Sequence, residues 1–144
     1  MVYDFVCSKL RAKEQGVFFI NARGGTGKTF VLNALLAFAR CLGERVTPAL
    51  AVATSGIAAT ELCGGRTFHS RFKAPLEIME HSVLDISVQS QSAQLIRQSS
   101  LIVWDEAPMA HRYLLEALDR SLRDIMHCDR VFGGKTLVLA GDFR

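Results

Sequence analysis

Two short stretches of this sequence carry side chains whose types and spacing suit phosphate chemistry. The first is ARGGTGKT at residues 22–29, directly after the apolar run 17–20. It fits a phosphate loop, in which glycine backbone N–H groups surround phosphate oxygens at the start of a helix. Lys28 would neutralise the β- and γ-phosphates, and the Thr29 hydroxyl would bind Mg²⁺. One position departs from the pattern, because Ala22 replaces the leading glycine. The residues predicted to bind nucleotide here are Gly24, Gly25, Thr26, Gly27, Lys28 and Thr29.

The second stretch is LIVWDE at residues 101–106. An apolar run followed by Asp-Glu predicts a buried strand that ends in two acids of different function. Asp105 would hold Mg²⁺, and Glu106 would be the general base that activates a water molecule. A glutamate here favours hydrolysis, since a kinase need not activate water. The alternative is a pair of acids that merely stabilises a helix N-terminus.

Further polar residues follow the predicted strands. Asp142 comes after the apolar run 136–140 and could sense the γ-phosphate, although Gly-Asp is also a common turn. Hydroxyl and imidazole groups in neighbouring loops suit contacts with a phosphate backbone, and helix capping is their alternative role. These loop residues are Thr54, Ser55, Thr67, His69 and Ser70.

The elements that position these residues follow from hydrophobic periodicity. Helices are predicted over 2–10, 30–42, 92–99 and 113–126, and strands over 17–20, 46–53, 101–104 and 136–140. Gly16 is expected to cap the first helix, and 73–91 to form a long loop. Strands that alternate with helices predict an α/β fold with a mainly parallel sheet covered on both faces.

Composition sets wider limits. The 144 residues are 49% hydrophobic, which suits one well-buried domain. A net charge of +3 is compatible with nucleic acid but does not argue for it. No run approaches the about 18 apolar residues of a membrane span. The four cysteines lack zinc-ligand spacing and are predicted to be free, buried thiols. Four arginines are predicted to be solvated on polar helix faces: Arg97, Arg112, Arg120 and Arg123.

Taken together, the motifs resemble those of a known family. ARGGTGKTF, ATSGIAATEL, GGRTFHSRF, VWDEAPM and FGGKTLVLAGDFR, in this order, are similar to the boxes of the PIF-family DNA helicases of superfamily one. The branch carried by Helitron-type transposons is the most similar. The resemblance covers nearly the whole chain and is weakest in the 73–91 loop. It implies a RecA-like, three-layer P-loop NTPase domain, the first of two motor domains.

The resemblance also implies a function and its residues. The activity would be ATP-dependent, 5′-to-3′ DNA unwinding, with Lys28, Asp105 and Glu106 as catalytic residues and Thr29 and Asp105 as Mg²⁺ ligands. The partners would be ATP and single-stranded DNA, and no membrane would be involved. The protein would act as a monomer. The location would be the nucleus, with the mitochondrion as the alternative. The roles would be DNA repair, recombination, telomere maintenance or transposon replication. The boxes that touch DNA contain Thr54, Ser55, Gly56, Thr67, His69 and Ser70.

Other features of the family are expected to lie outside residues 1–144. They are an adenine-reading glutamine before the first helix, a glutamine after GDFR, and the second motor domain with its arginine finger. We therefore expect this chain to bind nucleotide weakly and not to unwind DNA alone. The alternatives are an inactive remnant, a nucleoside kinase and a DNA-binding module. A kinase predicts an arginine-rich lid that the sequence lacks, and the complete phosphate-site set argues against a module.

Overall fold

Strands and helices alternate along the part of the chain that the computed structural model describes, residues 2–23 and 26–143. The strands are β1 (Val17–Asn21), β2 (Ala49–Ala53), β3 (Arg66–Thr67), β4 (Leu101–Asp105) and β5 (Leu137–Gly141). The helices are α1 (Val2–Arg11), α2 (Lys28–Arg40), α3 (Gly56–Glu61), α4 (Phe68–Phe72), α5 (Gln91–Gln98) and α6 (Arg112–Met126). Short 3-10 turns occupy Ala107–Met109 and Val131–Gly134.

The five strands form one sheet in the order β1-β5-β4-β2-β3. All four pairings are parallel, which confirms the predicted fold class. β4 lies at the centre, paired with β2 on one side and β5 on the other. Because the strands run in one direction, their carboxyl ends meet at a single edge, where parallel α/β sheets bind ligands.

Alternating side chains of β4 divide the core into two layers. Leu101 and Val103 face the cluster that contains buried residues of α1, α2 and α3. Ile102 and Trp104 face the other cluster, which contains α4, α5 and α6. Both faces of the sheet are therefore covered, and the three-layer prediction is confirmed.

Three predictions about apolar segments need correction. β1 is an edge strand rather than a buried one, and the Phe19 side chain is 60% exposed. Phe30 is 79% exposed, because α2 buries only one stripe against the sheet instead of being apolar all round. Val46 lies outside β2, which begins only after Pro48, since proline has no N–H for the sheet ladder.

The end of α1 also differs from the prediction. The helix ends at Arg11, and Lys13 adopts the left-handed conformation (φ 55°), so Gly16 is not its cap. Of the cysteines, only Cys7 is fully buried, whereas Cys41 and Cys63 are exposed, which contradicts the expectation of buried thiols. Among the described residues, no helix combines the length and apolarity needed to cross a bilayer.

Three of the four arginines predicted to be solvated instead tie loops to the helical layer. Arg97 donates to the Val88 carbonyl in the loop before α5, and its Nε donates to the Ile125 carbonyl of α6 at 3.0 Å. The Arg120 guanidinium donates to the Ser82 carbonyl in the same loop at 2.5 Å. Arg123 donates to the loop after α6 at 2.9 Å. Only Arg112 is exposed as predicted. The prediction was wrong for the others because backbone carbonyl partners leave no signal in the sequence.

Lys135 stands before β5 and is almost fully buried. Its Nζ donates to the carbonyls of Arg97 at 2.8 Å and Ser99 at 2.6 Å, at the C-terminus of α5. These bonds satisfy helix-end carbonyls that have no partner within the helix. Lys135 also lines a cavity of about 600 Å³ at the amino ends of the strands. Burial lowers the pKa of Lys135 from 10.5 to about 8.

This pKa predicts a pH dependence of stability. Between about pH 8 and 10.5 the unfolded chain keeps the Lys135 proton while the folded chain loses it, so the free energy of unfolding should rise with pH in this window. We expect the difference in unfolding free energy between the wild type and Lys135→Met to grow by about 1–2 kcal/mol from about pH 7 to pH 10, after allowance for screening. Urea denaturation of both proteins at each pH measures this difference in unfolding free energy. A difference that stays constant between about pH 7 and pH 10 would contradict the prediction.

Candidate functional site

A cavity of about 450 Å³ opens at the carboxyl edge of the sheet. Residues from the start of α2, from α3 and from the end of β4 form its walls. The lining residues are Gly27, Lys28, Thr29, Ala58, Glu61, Asp105 and Glu106. The lysine and threonine of the predicted phosphate loop and the two acids after β4 therefore meet in one place, as their positions at this edge require.

The described part of the phosphate loop has the backbone that its glycines were expected to provide. Gly27 precedes α2 with φ 82°, a conformation that favours glycine. The Thr26 hydroxyl donates to the Arg23 carbonyl at 2.6 Å. Ala22 is not among the described residues with positive φ, so alanine fits where the pattern has glycine. Gly24 and Gly25 lie outside the described residues.

An ion pair joins the two halves of the site. Lys28 Nζ donates to Asp105 Oδ1, and the two side chains are only 14% and 2% exposed. The backbone N–H of Glu106 donates to the same oxygen at 2.8 Å. A buried carboxylate requires such partners, because removing either would leave an uncompensated charge.

Glu106 is held in an uncommon conformation. Its backbone is left-handed, with φ 58°, which costs energy for a residue other than glycine. The Thr54 hydroxyl donates to the Glu106 carbonyl at 2.8 Å. Ser55 donates twice to Glu106 Oε1, from its N–H at 3.1 Å and from its hydroxyl at 2.6 Å. The carboxylate is therefore anchored on the cavity wall.

The charges on the walls suit a nucleotide bound together with a metal ion. One cation, Lys28, faces three carboxylates, those of Glu61, Asp105 and Glu106. This surplus of negative charge would repel a free triphosphate. A divalent cation between the carboxylates and the triphosphate would compensate the charge of both groups. The Thr29 hydroxyl and the Asp105 carboxylate are hard oxygen donors of the kind that Mg²⁺ prefers. The residues present therefore fit Mg²⁺.

The two segments predicted to be DNA-contacting loops lie side by side, but the loop prediction needs correction, because Gly56 begins α3 and His69 and Ser70 lie in α4. Ala53 of β2 pairs with Thr67 of β3, which brings residues 54–56 next to 67–70. The capping roles weighed as alternatives are also present. The Ser55 hydroxyl accepts from the Ala58 N–H at 3.3 Å. The Thr67 hydroxyl accepts from the Ser70 N–H at 3.2 Å.

The remaining loop residues differ in exposure. Gly56 and Ser70 are exposed, and His69 is half-buried beside Phe68. Asp142 is exposed directly after β5, at the same edge of the sheet but outside the walls of the cavity. Its predicted role at the γ-phosphate stays a prediction.

Sequence reasoning missed two features of the site. Glu61 on the cavity wall has no motif that marks it. Trp104 was correctly predicted to be a core residue, but its indole N–H donates to the Thr54 hydroxyl at 3.1 Å. A buried tryptophan N–H needs an acceptor. This need was the signal that could have linked the end of β4 to the loop after β2.

A parallel sheet with a glycine-rich loop, its lysine and a strand-end Asp-Glu pair defines a P-loop NTPase domain. The PIF1-like helicase family model matches residues 1–144, and the chain belongs to that family. An ATP-dependent DNA helicase Pif1 from Psychrobacter is 30% identical over 127 residues, which are 87% of this chain and 19% of that protein. The ATP-dependent DNA helicase RRM3 of Saccharomyces cerevisiae is 30% identical over 145 residues, 99% of this chain and 20% of that protein.

Solved structures agree with this assignment. The Pif1 helicase from Bacteroides in complex with ADP-AlF3 and single-stranded DNA matches with a TM-score of 0.77 and 28% identity. The match covers 98% of this chain and 31% of that one. The chain thus spans about a fifth of the two relatives and about a third of this structure. The predicted RecA-like fold is confirmed.

The buried ion pair predicts the effect of removing its cation. Lys28→Met should lower the free energy of unfolding by about 3 kcal/mol, because Asp105 would stay buried without its partner. Adding Asp105→Asn should recover part of this loss. The matched control is Lys9→Met, which removes an exposed pair with Glu14 (35% and 55% exposed) and should cost less than about 1 kcal/mol. Equal losses in urea denaturation for Lys28→Met and Lys9→Met would contradict the prediction.

Proposed function

We propose that this chain is the nucleotide-hydrolysing motor domain of an ATP-dependent DNA helicase that moves 5′-to-3′ on single-stranded DNA. The observation that carries the proposal is the meeting of Lys28, Thr29, Asp105 and Glu106 on one cavity in a member of the PIF1-like family. Two relatives that are 30% identical to this chain are named ATP-dependent DNA helicases. The bound ADP-AlF3 and single-stranded DNA of the Bacteroides structure are the kinds of ligand proposed here.

In the proposed reaction, the oxygen of a water molecule bonds to the γ-phosphorus of ATP as the bond to the bridging oxygen breaks. The products are ADP and inorganic phosphate. Glu106 takes the proton that the water loses, and Lys28 neutralises charge on the β- and γ-phosphates. Thr29 and Asp105 would hold Mg²⁺, which supplies further compensation of phosphate charge when bound. Asp142 would sense the γ-phosphate from the end of β5.

Single-stranded DNA would lie along the two adjoining loops at residues 54–56 and 67–70. The pairing of β2 with β3 brings these segments beside each other, and Ser55 is bonded to Glu106 on the cavity wall. Hydroxyl and backbone donors suit phosphate contacts that carry no sequence information. The proposed contacts are Thr54, Ser55, Gly56, Thr67, His69 and Ser70.

The wider setting is also part of the proposal. Action as a monomer on DNA, in the nucleus or the mitochondrion, follows the family resemblance. So do roles in repair, recombination, telomere maintenance or the replication of a Helitron-type transposon. The names of the two relatives, both DNA helicases, support the action on DNA.

Hydrolysis of ATP by the purified chain tests the proposal. We expect slow release of phosphate that oligo(dT) accelerates, because the loops that would meet DNA adjoin the cavity. Glu106→Gln should lower the rate about 100-fold while ATP still binds, since general-base catalysis contributes about 10²–10⁴. ATP binding without any turnover would instead identify a remnant that only binds nucleotide, and equal rates for the wild type and Glu106→Gln would reject the assigned base.

Unwinding should require more than this chain. The described residues form one five-stranded sheet, and the chain spans about a fifth of the two named relatives, whereas strand separation needs a second lobe that closes on ATP. An arginine supplied across such a cleft contributes about 10³–10⁵ to hydrolysis in other NTPases. A forked duplex with a fluorophore and quencher should therefore stay paired when the chain and ATP are added. Robust strand separation by the 144-residue chain would contradict this expectation.

A further inference from the structure

The loop after β2 and the end of β4 are joined by a chain of hydrogen bonds. The Thr54 N–H donates to the Asp105 carbonyl at 3.2 Å, and the Thr54 hydroxyl donates to the Glu106 carbonyl at 2.8 Å. The Trp104 indole donates to the same hydroxyl at 3.1 Å. Trp104 is itself fixed by a stacked contact with Phe68, whose ring centroid lies 4.3 Å away. These contacts tie the loop to the strand end.

Ser55 extends this connection to the carboxylate of Glu106. Its N–H and its hydroxyl both donate to Oε1, at 3.1 and 2.6 Å. A carboxylate has two oxygens, each with acceptor capacity, so anchoring one leaves the other for a water molecule. A base held in this way by a third group is the usual arrangement of an activated catalytic pair.

Capping does not account for these bonds. To cap α3, Ser55 only has to accept from the Ala58 N–H, which it does at 3.3 Å. Its two donors are separate from that role and are both directed to Glu106. Ser90 shows an ordinary cap. Its hydroxyl accepts from the Ala93 N–H of α5 at 3.1 Å and donates to the nearby Ser87 carbonyl at 2.6 Å.

We propose that Ser55 is the positioning residue for Glu106. Through it, the loop that would carry DNA also sets the orientation of the base that activates water. This inference rests on the proposed function and adds a regulatory link to it: contact of nucleic acid with residues 54–56 changes the position of the carboxylate and with it the rate of hydrolysis.

Single-turnover hydrolysis, with the purified chain in saturating excess over ATP and with Mg²⁺ present, tests the positioning role. Ser55→Ala should lower the rate constant about 10-fold, a part of the general-base contribution, and change the Kd for ATP less than about 2-fold. Ser55→Thr keeps the donor and the cap and should restore the rate. Ser90→Ala removes a cap far from the cavity and should lower Tm without lowering the rate.

The carboxyl ¹³C resonance of Glu106 tests the link to DNA without depending on turnover. The resonance is assigned by its loss in Glu106→Gln. Oligo(dT) should shift it in the wild type and in Ser55→Thr, and shift it less in Ser55→Ala. Binding of oligo(dT) with no shift in the wild type would overturn the link.

The outcomes separate this inference from the proposed function. If Glu106→Gln abolishes hydrolysis and Ser55→Ala leaves it unchanged, the proposed function stands and the inference is wrong. If Glu106→Gln changes nothing, the assigned base is wrong and the inference falls with it. A loss in Ser55→Ala that Ser55→Thr does not restore would also overturn the inference, because the hydroxyl would then not be the group responsible.

Discussion

The burial of the Asp105 carboxylate is the constraint on which the site depends. The side chain is 2% exposed, and a charge at that depth needs a cation and hydrogen-bond donors. Lys28 supplies the cation, and the Glu106 N–H supplies a donor. Because Lys28 begins α2 and Asp105 ends β4, this interaction fixes the start of a helix against the central strand. The cavity between them follows from that arrangement.

The same ion pair prepares the site for the ligands that we propose. A bound nucleotide would offer phosphate oxygens to Lys28, and its metal would offer positive charge to Asp105. Lys28 would thus exchange the Asp105 carboxylate for a phosphate, and Asp105 would exchange the Lys28 ammonium for the metal ion. Neither side chain would be buried without an opposite charge at any stage. Because the cavity walls carry a surplus of carboxylates, we expect the metal and the nucleotide each to bind better in the presence of the other.

The sequence was sufficient for the parts of the fold that local pattern controls. Apolar runs, their spacing and the residues at their ends determine a parallel sheet with Lys28 and Asp105 at one edge. It was not sufficient where the outcome depends on neighbours distant in the chain. The exposure of Phe19 follows from the place of β1 at the edge of the sheet, and strand order is not visible in composition. Arg97 and Lys135 bind backbone carbonyls, which every residue type provides.

The contacts of the loop residues divide the proposed DNA-binding set by physical role. The Thr54 hydroxyl already donates to one protein group and accepts from another, so its part in meeting DNA would be to place the loop. The donors of Ser55 are directed to Glu106. Ser70 is exposed, and in its described side-chain hydrogen bond the hydroxyl accepts from Arg66 at 2.8 Å rather than donating. Phosphate oxygens need hydrogen-bond donors. We therefore infer that residues 67–70 would make the direct contacts with DNA, while residues 54–56 would connect those contacts to Glu106.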